Sequence, residues 1–153
     1  MTETETIDVG EIDYAVDDIE AIDLSCGDYE LGDGIELSVL ASDGQGKLKF
    51  EFEKVYGRIR EPFVIGEEAW RCLVRHSREI DVCLLRRTHE LFELSDDATL
   101  ATCCTPSGDR LVRLRVSAKN ARASTFELTH AAWTHLSDKA TQISRDADML
   151  RRY

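Results

Sequence analysis

The stretch FVIGEEAWRCL at residues 63–73 returns as FELTHAAWTHL at residues 126–136, with Phe63, Ala69, Trp70 and Leu73 matched by Phe126, Ala132, Trp133 and Leu136. An apolar skeleton repeated at a fixed offset constrains a fold more than any composition does, because each copy asks for the same burial. The echo is long. Tyr29, Glu30 and Leu31 correspond to Phe92, Glu93 and Leu94, Asp33 to Asp96, and Leu37 to Leu100, all at the offset of 63. One residue inserted near Pro106 then pairs Gly44 with Gly108, Phe50 with Leu114 and Phe52 with Val116, and the original offset returns for Ile65 with Leu128 and Ile80 with Ile143. An ordered set of matches from Tyr29 to Ile80 with a single one-residue shift is a duplicated unit, not a chance echo.

Each copy reads with the same grammar. A short extended segment (residues 29–31; 92–94) precedes a second strand at about 35–41 or 98–104. A turn at Ser42-Asp43-Gly44 or Pro106-Ser107-Gly108 leads into a third strand of strong alternation, KLKFEFEKV or RLVRLRVSA. A fourth extended stretch ends at Gly66 or Thr129, where a helix is predicted to start. Thr129 is a good N-cap, while Glu67 and Glu68 after Gly66 suit the positive helix end. Trp70, Leu73, Ser77 and Ile80 then recur at helical spacing, as do Trp133, Leu136, Ala140 and Ile143, so one face of each helix packs on a sheet. A unit of this size buries too little to be comfortable alone, and two related units would pair within the chain. The expected class is α+β: a tandem duplication of a ββββα unit, four-stranded antiparallel sheet plus helix, forming a pseudo-dimer. The expected divisions are an acidic, largely disordered tail at 1–28, a first unit at 29–88 and a second at 89–153.

The net charge of -11 belongs to that tail. Residues 1–34 hold twelve acidic side chains and no basic one, and the remaining body is close to neutral. So acidic a run cannot bury enough surface to fold by itself. Ile12, Val16 and Ile19 nevertheless recur in it at helical spacing, a pattern suited to docking on a partner or covering a basic surface of the same chain. The apolar runs are too short to span a membrane, and the N-terminus reads as intracellular, without a signal peptide.

Enzyme signatures are missing: there is no Gly-rich phosphate loop, HExxH, GxSxG or paired-carboxylate motif. His130 and His135 stand five apart, a spacing that shares a helix face poorly, and with His76 and His89 they read as surface histidines. The five cysteines show no CxxC spacing and are expected to be reduced thiols. Cys103 and Cys104 are neighbours in a predicted strand, so one is expected to pack and the other to be exposed. No catalytic role, metal or cofactor is expected.

The segments YELGDGIELSV, GKLKFEFEKVYG and FVIGEEAWRCL with Ile80-Asp81, and again FELSDDATLAT and FELTHAAWTHL, resemble the positive cofactor four family of transcriptional coactivators. The resemblance covers residues 29–83 and 92–146. It implies a ββββα unit that dimerises to bind single-stranded or melted DNA, with RNA left open, in transcription, replication or repair. It also implies that the acidic tail modulates binding or recruits transcription or replication proteins. The place of action so implied is the nucleus or nucleoid, or the host nucleus or virion for a viral chain. Two copies in one chain look like a fused dimer. The loops ASDGQGK and CTPSGDR lack the aromatic residue that the family carries there, and the basic insertion before the helix is shortened to YGRIREP and KNARAS.

The basic residues that would carry such binding are unequal between copies. In the second, Arg113 and Arg115 alternate with Leu114 and Val116, and Arg110, Lys119 and Arg122 extend the set along the strand and its flanks. In the first, Lys47 and Lys49 share a face with Glu51 and Glu53, and Lys54, Tyr56, Arg58 and Arg60 follow. The second copy is therefore expected to be the stronger binder. Trp70 and Trp133 read as core residues by their spacing, while the resemblance implies that each presents a ring edge to nucleic acid. The alternative to a nucleic-acid-binding accessory protein is a protein-interaction or structural module that keeps the fold and has lost most of that surface.

Overall fold

The computed structural model describes residues 24–41, 47–56, 58–117 and 122–151. Strands β1 (Leu24–Gly32), β2 (Ile35–Ala41), β3 (Leu48–Tyr56) and β4 (Ile59–Gly66) form an antiparallel sheet in chain order, followed by helices α1 (Glu67–Arg75) and α2 (Ser77–Arg86). A second antiparallel sheet of β5 (Leu91–Glu93), β6 (Ala98–Cys104), β7 (Arg110–Val116) and β8 (Ser124–Thr129) leads into α3 (His130–Arg151). The molecule is thus α+β, with two four-stranded sheets each followed by helix.

Alternation makes the strands. In β2 the burial pattern puts Ile35, Leu37, Val39 and Ala41 inward, and in β6 Ala98, Leu100 and Thr102 take the same positions. The β1–β2 hairpin turns through Asp33 and Gly34, with φ of 55° and 75°, the two positive values of a tight hairpin turn that Asp-Gly supplies readily. Thr129 caps α3, its Oγ1 accepting the Ala132 N–H at 3.1 Å, and its hydroxyl donates to the carboxylate of Asp33 in the first hairpin.

Three expectations change. Strand β1 starts at Leu24, ahead of the expected boundary at residue 29, because β2 offers backbone partners as far as Ala41 and a bulge between Cys26 and Asp28 absorbs the register. The first helix is interrupted at His76, whose φ of -95° and ψ of 9° leave the helical region, while its N–H still bonds Cys72 O and its carbonyl still accepts the Ile80 N–H. Cys103 and Cys104 are both half-buried, since β6 ends there and its strict inward and outward alternation ends with it. The tail at 1–23, the turn at 42–46 and Lys119 lie outside the described residues.

The core is one cluster drawn from both halves, from Leu31 to Leu150. Helix α1 lies on β3 and β4 of the sheet before it, and α2 continues onto β6; α3 lies on β7 and β8 and continues onto β1 and β2. Each helical path therefore starts on its own sheet and ends on the other, which supplies the buried area that a single small unit lacks.

Paired contacts tie the halves together. The Trp70 indole N–H donates to Ser144 Oγ at 3.1 Å, and the Trp133 indole N–H donates to Asp81 Oδ1 at 2.6 Å. Trp70 and Trp133 are 63 residues apart in sequence, and so are Asp81 and Ser144. The Phe63 and Phe126 rings, also 63 apart, meet at 5.6 Å where β4 approaches β8, and Phe52 joins Phe126 at 5.8 Å. The Tyr29 hydroxyl donates to Asp146, and Lys139 Nζ donates to Glu30 O at 2.8 Å. No helix among the described residues is long and apolar enough to cross a membrane.

Candidate nucleic-acid interface

The face of each sheet turned away from the helices is where exposed strand residues gather. On the first sheet, register places Asp28 and Glu30 of β1, Glu36 and Ser38 of β2, and Lys49, Glu51 and Glu53 of β3 on that face. Glu36 and Glu53 stand directly opposite each other, and the Ser38 hydroxyl donates to Asp28 at 2.6 Å. Burial, then the charges of Glu53 and Asp28, push the Glu51 carboxyl above its ordinary value. Five carboxylates therefore share this face with Lys49, and it repels a polyanion. Lys47, Lys49 and Arg58 are exposed, whereas Lys54 is half-buried and shares the parity of Phe50 and Phe52, so it does not join Lys49. The backbones of Tyr56 and Arg60 close β3 and open β4, and their side chains lie outside the described set.

The second sheet differs in composition. Its outer face presents Leu91 and Glu93, Thr99, Ala101 and Cys103, Leu111, Arg113 and Arg115, then Thr125 and Glu127. Arg113 is opposite Glu127, and its Nε and Nη2 donate to Glu127 Oε2 at 2.9 and 2.7 Å. That hydrogen bond raises the guanidinium further and neutralises its charge at short range. Burial pushes the Cys103 thiol up, against the opposing pull of Arg113, and keeps it protonated. Arg115 is exposed and makes no hydrogen bond or ion pair among the described residues, with Thr99 and Thr125 as its cross-strand neighbours. Arg122 is exposed in the connection before β8.

Two expected groupings are corrected. Arg110 does not extend the Arg113–Arg115 row: it shares the parity of Val112 and Leu114 and points to the helix side, half-buried. Trp70 and Trp133 are 2% and 0% exposed, with their indole N–H groups already bonded, so neither ring offers a platform to a base. Trp70 instead stacks on Phe50, with ring centroids 4.6 Å apart. The spacing to Leu73 and Leu136 had indicated core, and core is their place.

One basic residue was not indicated by any motif. Arg87, just after α2, lies in a cleft with Arg110 and His130, and its neighbours come from the β6–β7 turn and the start of α3. No alternation or spacing signals such a meeting.

No protein-family model matches the chain, and no curated protein matches it. Among solved structures, a chain from crystal structures of Trypanosoma brucei MRP1/MRP2 aligns with a TM-score of 0.41 and 15% identity, covering 84% of this chain and 85% of that chain.

Proposed function

We propose that the protein is a single-stranded nucleic-acid-binding accessory factor of transcription or genome replication, built as two diverged ββββα units closed into a pseudo-dimer within one chain. The duplication is supported by the equivalent positions of Trp70 and Trp133, of Asp81 and Ser144, and of Phe63 and Phe126 in reciprocal contacts across the two halves. Binding falls to the second sheet. The observation that carries this is Arg115, exposed and without an acidic partner among the described residues, with Thr99, Ala101 and Thr125 on the same sheet face, whereas the outer face of the first sheet is strongly acidic. A strand that tracks such a face gains from phosphate contact and counterion release. The acidic segment at 1–28 competes for that surface or recruits a transcription or replication protein.

The test is fluorescence anisotropy with an oligo-dT strand and a duplex of equal length at low and moderate salt. The reading expects preference for the single strand and affinity that falls with salt. Arg115→Glu lowers the log–log salt slope by about 0.7, the share of one phosphate contact on a single strand. Lys49→Glu, on the acidic face, changes binding little. Loss of any salt-sensitive single-strand preference in the full chain and in residues 24–153 would sink the reading.

The five carboxylates on the first sheet favour a second reading for that face, a protein-interaction module directed at a basic partner. Selective capture of a polycationic peptide, relieved by Glu36→Gln with Glu53→Gln, distinguishes it.

A further inference from the structure

At the end of the second sheet the β6–β7 turn, the start of α3 and the residue after α2 enclose a cleft of about 520 Å³, whose lining includes Arg87, Gly108, Asp109, Arg110, Thr129 and His130. Two arginines and one aspartate line it. Asp109 forms no ion pair with either arginine and accepts instead from the Ser107 hydroxyl at 3.2 Å. Neither guanidinium has a hydrogen bond or ion pair among the described residues; Arg87 is exposed and Arg110 half-buried. A guanidinium fork with no internal acceptor is free to bind a phosphate with two parallel hydrogen bonds.

Arg87 is held in place by the backbone. Its φ of 59° is left-handed, at the position after a helix that glycine usually fills. Its N–H bonds Leu84 O at 3.2 Å, and the next N–H bonds Cys83 O at 2.9 Å. The buried Thr102 fixes the linker beyond it, donating to Thr88 O at 2.8 Å and accepting the Glu90 N–H at 2.9 Å. Arg87 Nη1 lies 3.8 Å from where a Cβ on Gly108 would stand, so the guanidinium reaches over the turn. This fixed backbone position carries a guanidinium without a partner among the described residues.

The cleft also adjoins the end of the outer face. Leu111 and Thr129, paired at the end of that face, line it, and Arg113 and Arg115 follow Leu111 on β7. We propose that Arg87 and Arg110 clamp a phosphate group of a bound single strand, anchoring the strand where it leaves the sheet. This rests on the nucleic-acid reading above and names the anchoring point that reading lacks.

The full chain is titrated with thymidine 5′-monophosphate, with thymidine, and with an oligo-dT strand, by amide shift perturbation and anisotropy. The monophosphate, and not thymidine, is expected to shift Gly108 and His130. Arg87→Gly and Arg110→Gln are each expected to weaken monophosphate and oligonucleotide binding about tenfold, the loss of one charged hydrogen-bond donor set. Arg87→Gly keeps or raises the melting temperature, because glycine suits the left-handed position, so its loss of binding is not misfolding. If the monophosphate binds the cleft and the oligonucleotide binds nowhere, the anion site stands and the nucleic-acid reading falls. If the oligonucleotide binds and both variants bind it as the parent does, the clamp is overturned and the reading survives. Failure of both probes overturns both.

Discussion

The indole N–H of Trp133 is wholly buried and finds its acceptor in Asp81, on a helix of the other half. Asp81→Ala strands that donor, and a buried donor without an acceptor costs about 1–3 kcal/mol. Asp81→Asn keeps an oxygen in place and is expected to recover most of the loss. Ser144→Ala strands Trp70 in the same way, and sits at the lower end of the range because a neutral hydroxyl is the weaker acceptor. Urea midpoints at unchanged m-value measure all three. Equal losses for Asp81→Ala and Asp81→Asn would mean that charge, and not the acceptor, matters. Both tryptophans were legible as core from Leu73 and Leu136 three residues on. Their acceptors were not, because each lies on a helix that only the tertiary fold brings near.

At the level of the sheet, Glu51 sits in a row of like charges and carries a raised carboxyl. A folded value above the unfolded one favours the protonated form in the fold. The stabilisation so gained is full below the ordinary value of 4.5 and is lost as pH rises through the raised one. Glu51→Gln is therefore expected to stabilise the protein at pH 7 by about 0.2–1 kcal/mol, the range of cross-strand pair effects, and the advantage closes on acidification below that value. Unfolding curves at pH 7 and near pH 4 check it; an equal gain at both would remove the electrostatic cause. The strands themselves were readable, since alternation in IELSV and RLVRLRV gives burial directly. The charge arrangement was only half readable. Parity alone separates Arg110 from Arg113 and Arg115, and counting charges along the chain misses it. The pairing of Arg113 with Glu127 needs the β7–β8 register, which no local pattern encodes. His76 interrupts a helix whose apolar spacing continues through it, so periodicity gave no sign of the break.

Over the whole molecule, the two halves depend on each other through exchanged helices and an aromatic meeting point between β4 and β8. Phe126 contacts both Phe63 and Phe52 of the first half. Phe126→Ala, a large-to-small change in the core, is expected to cost about 3–5 kcal/mol and to lower one shared transition instead of splitting it in two. Separating the halves tests the same dependence more severely. A fragment of residues 24–88 loses α3 from the inner face of β1 and β2, and a fragment of 89–153 loses α2 from β6. Each also keeps a tryptophan whose acceptor has left and a phenylalanine whose ring partner has left. Neither unit has buried area to spare. Each fragment alone is therefore expected to be expanded or self-associated, with weak near-ultraviolet tryptophan circular dichroism. Mixed at equal concentration, the two are expected to restore the spectrum and mass of the intact chain, with titration ending at one to one. A fragment that remains monomeric with a cooperative melt of its own would show that the exchanged helices decorate two independent domains and do not close one core.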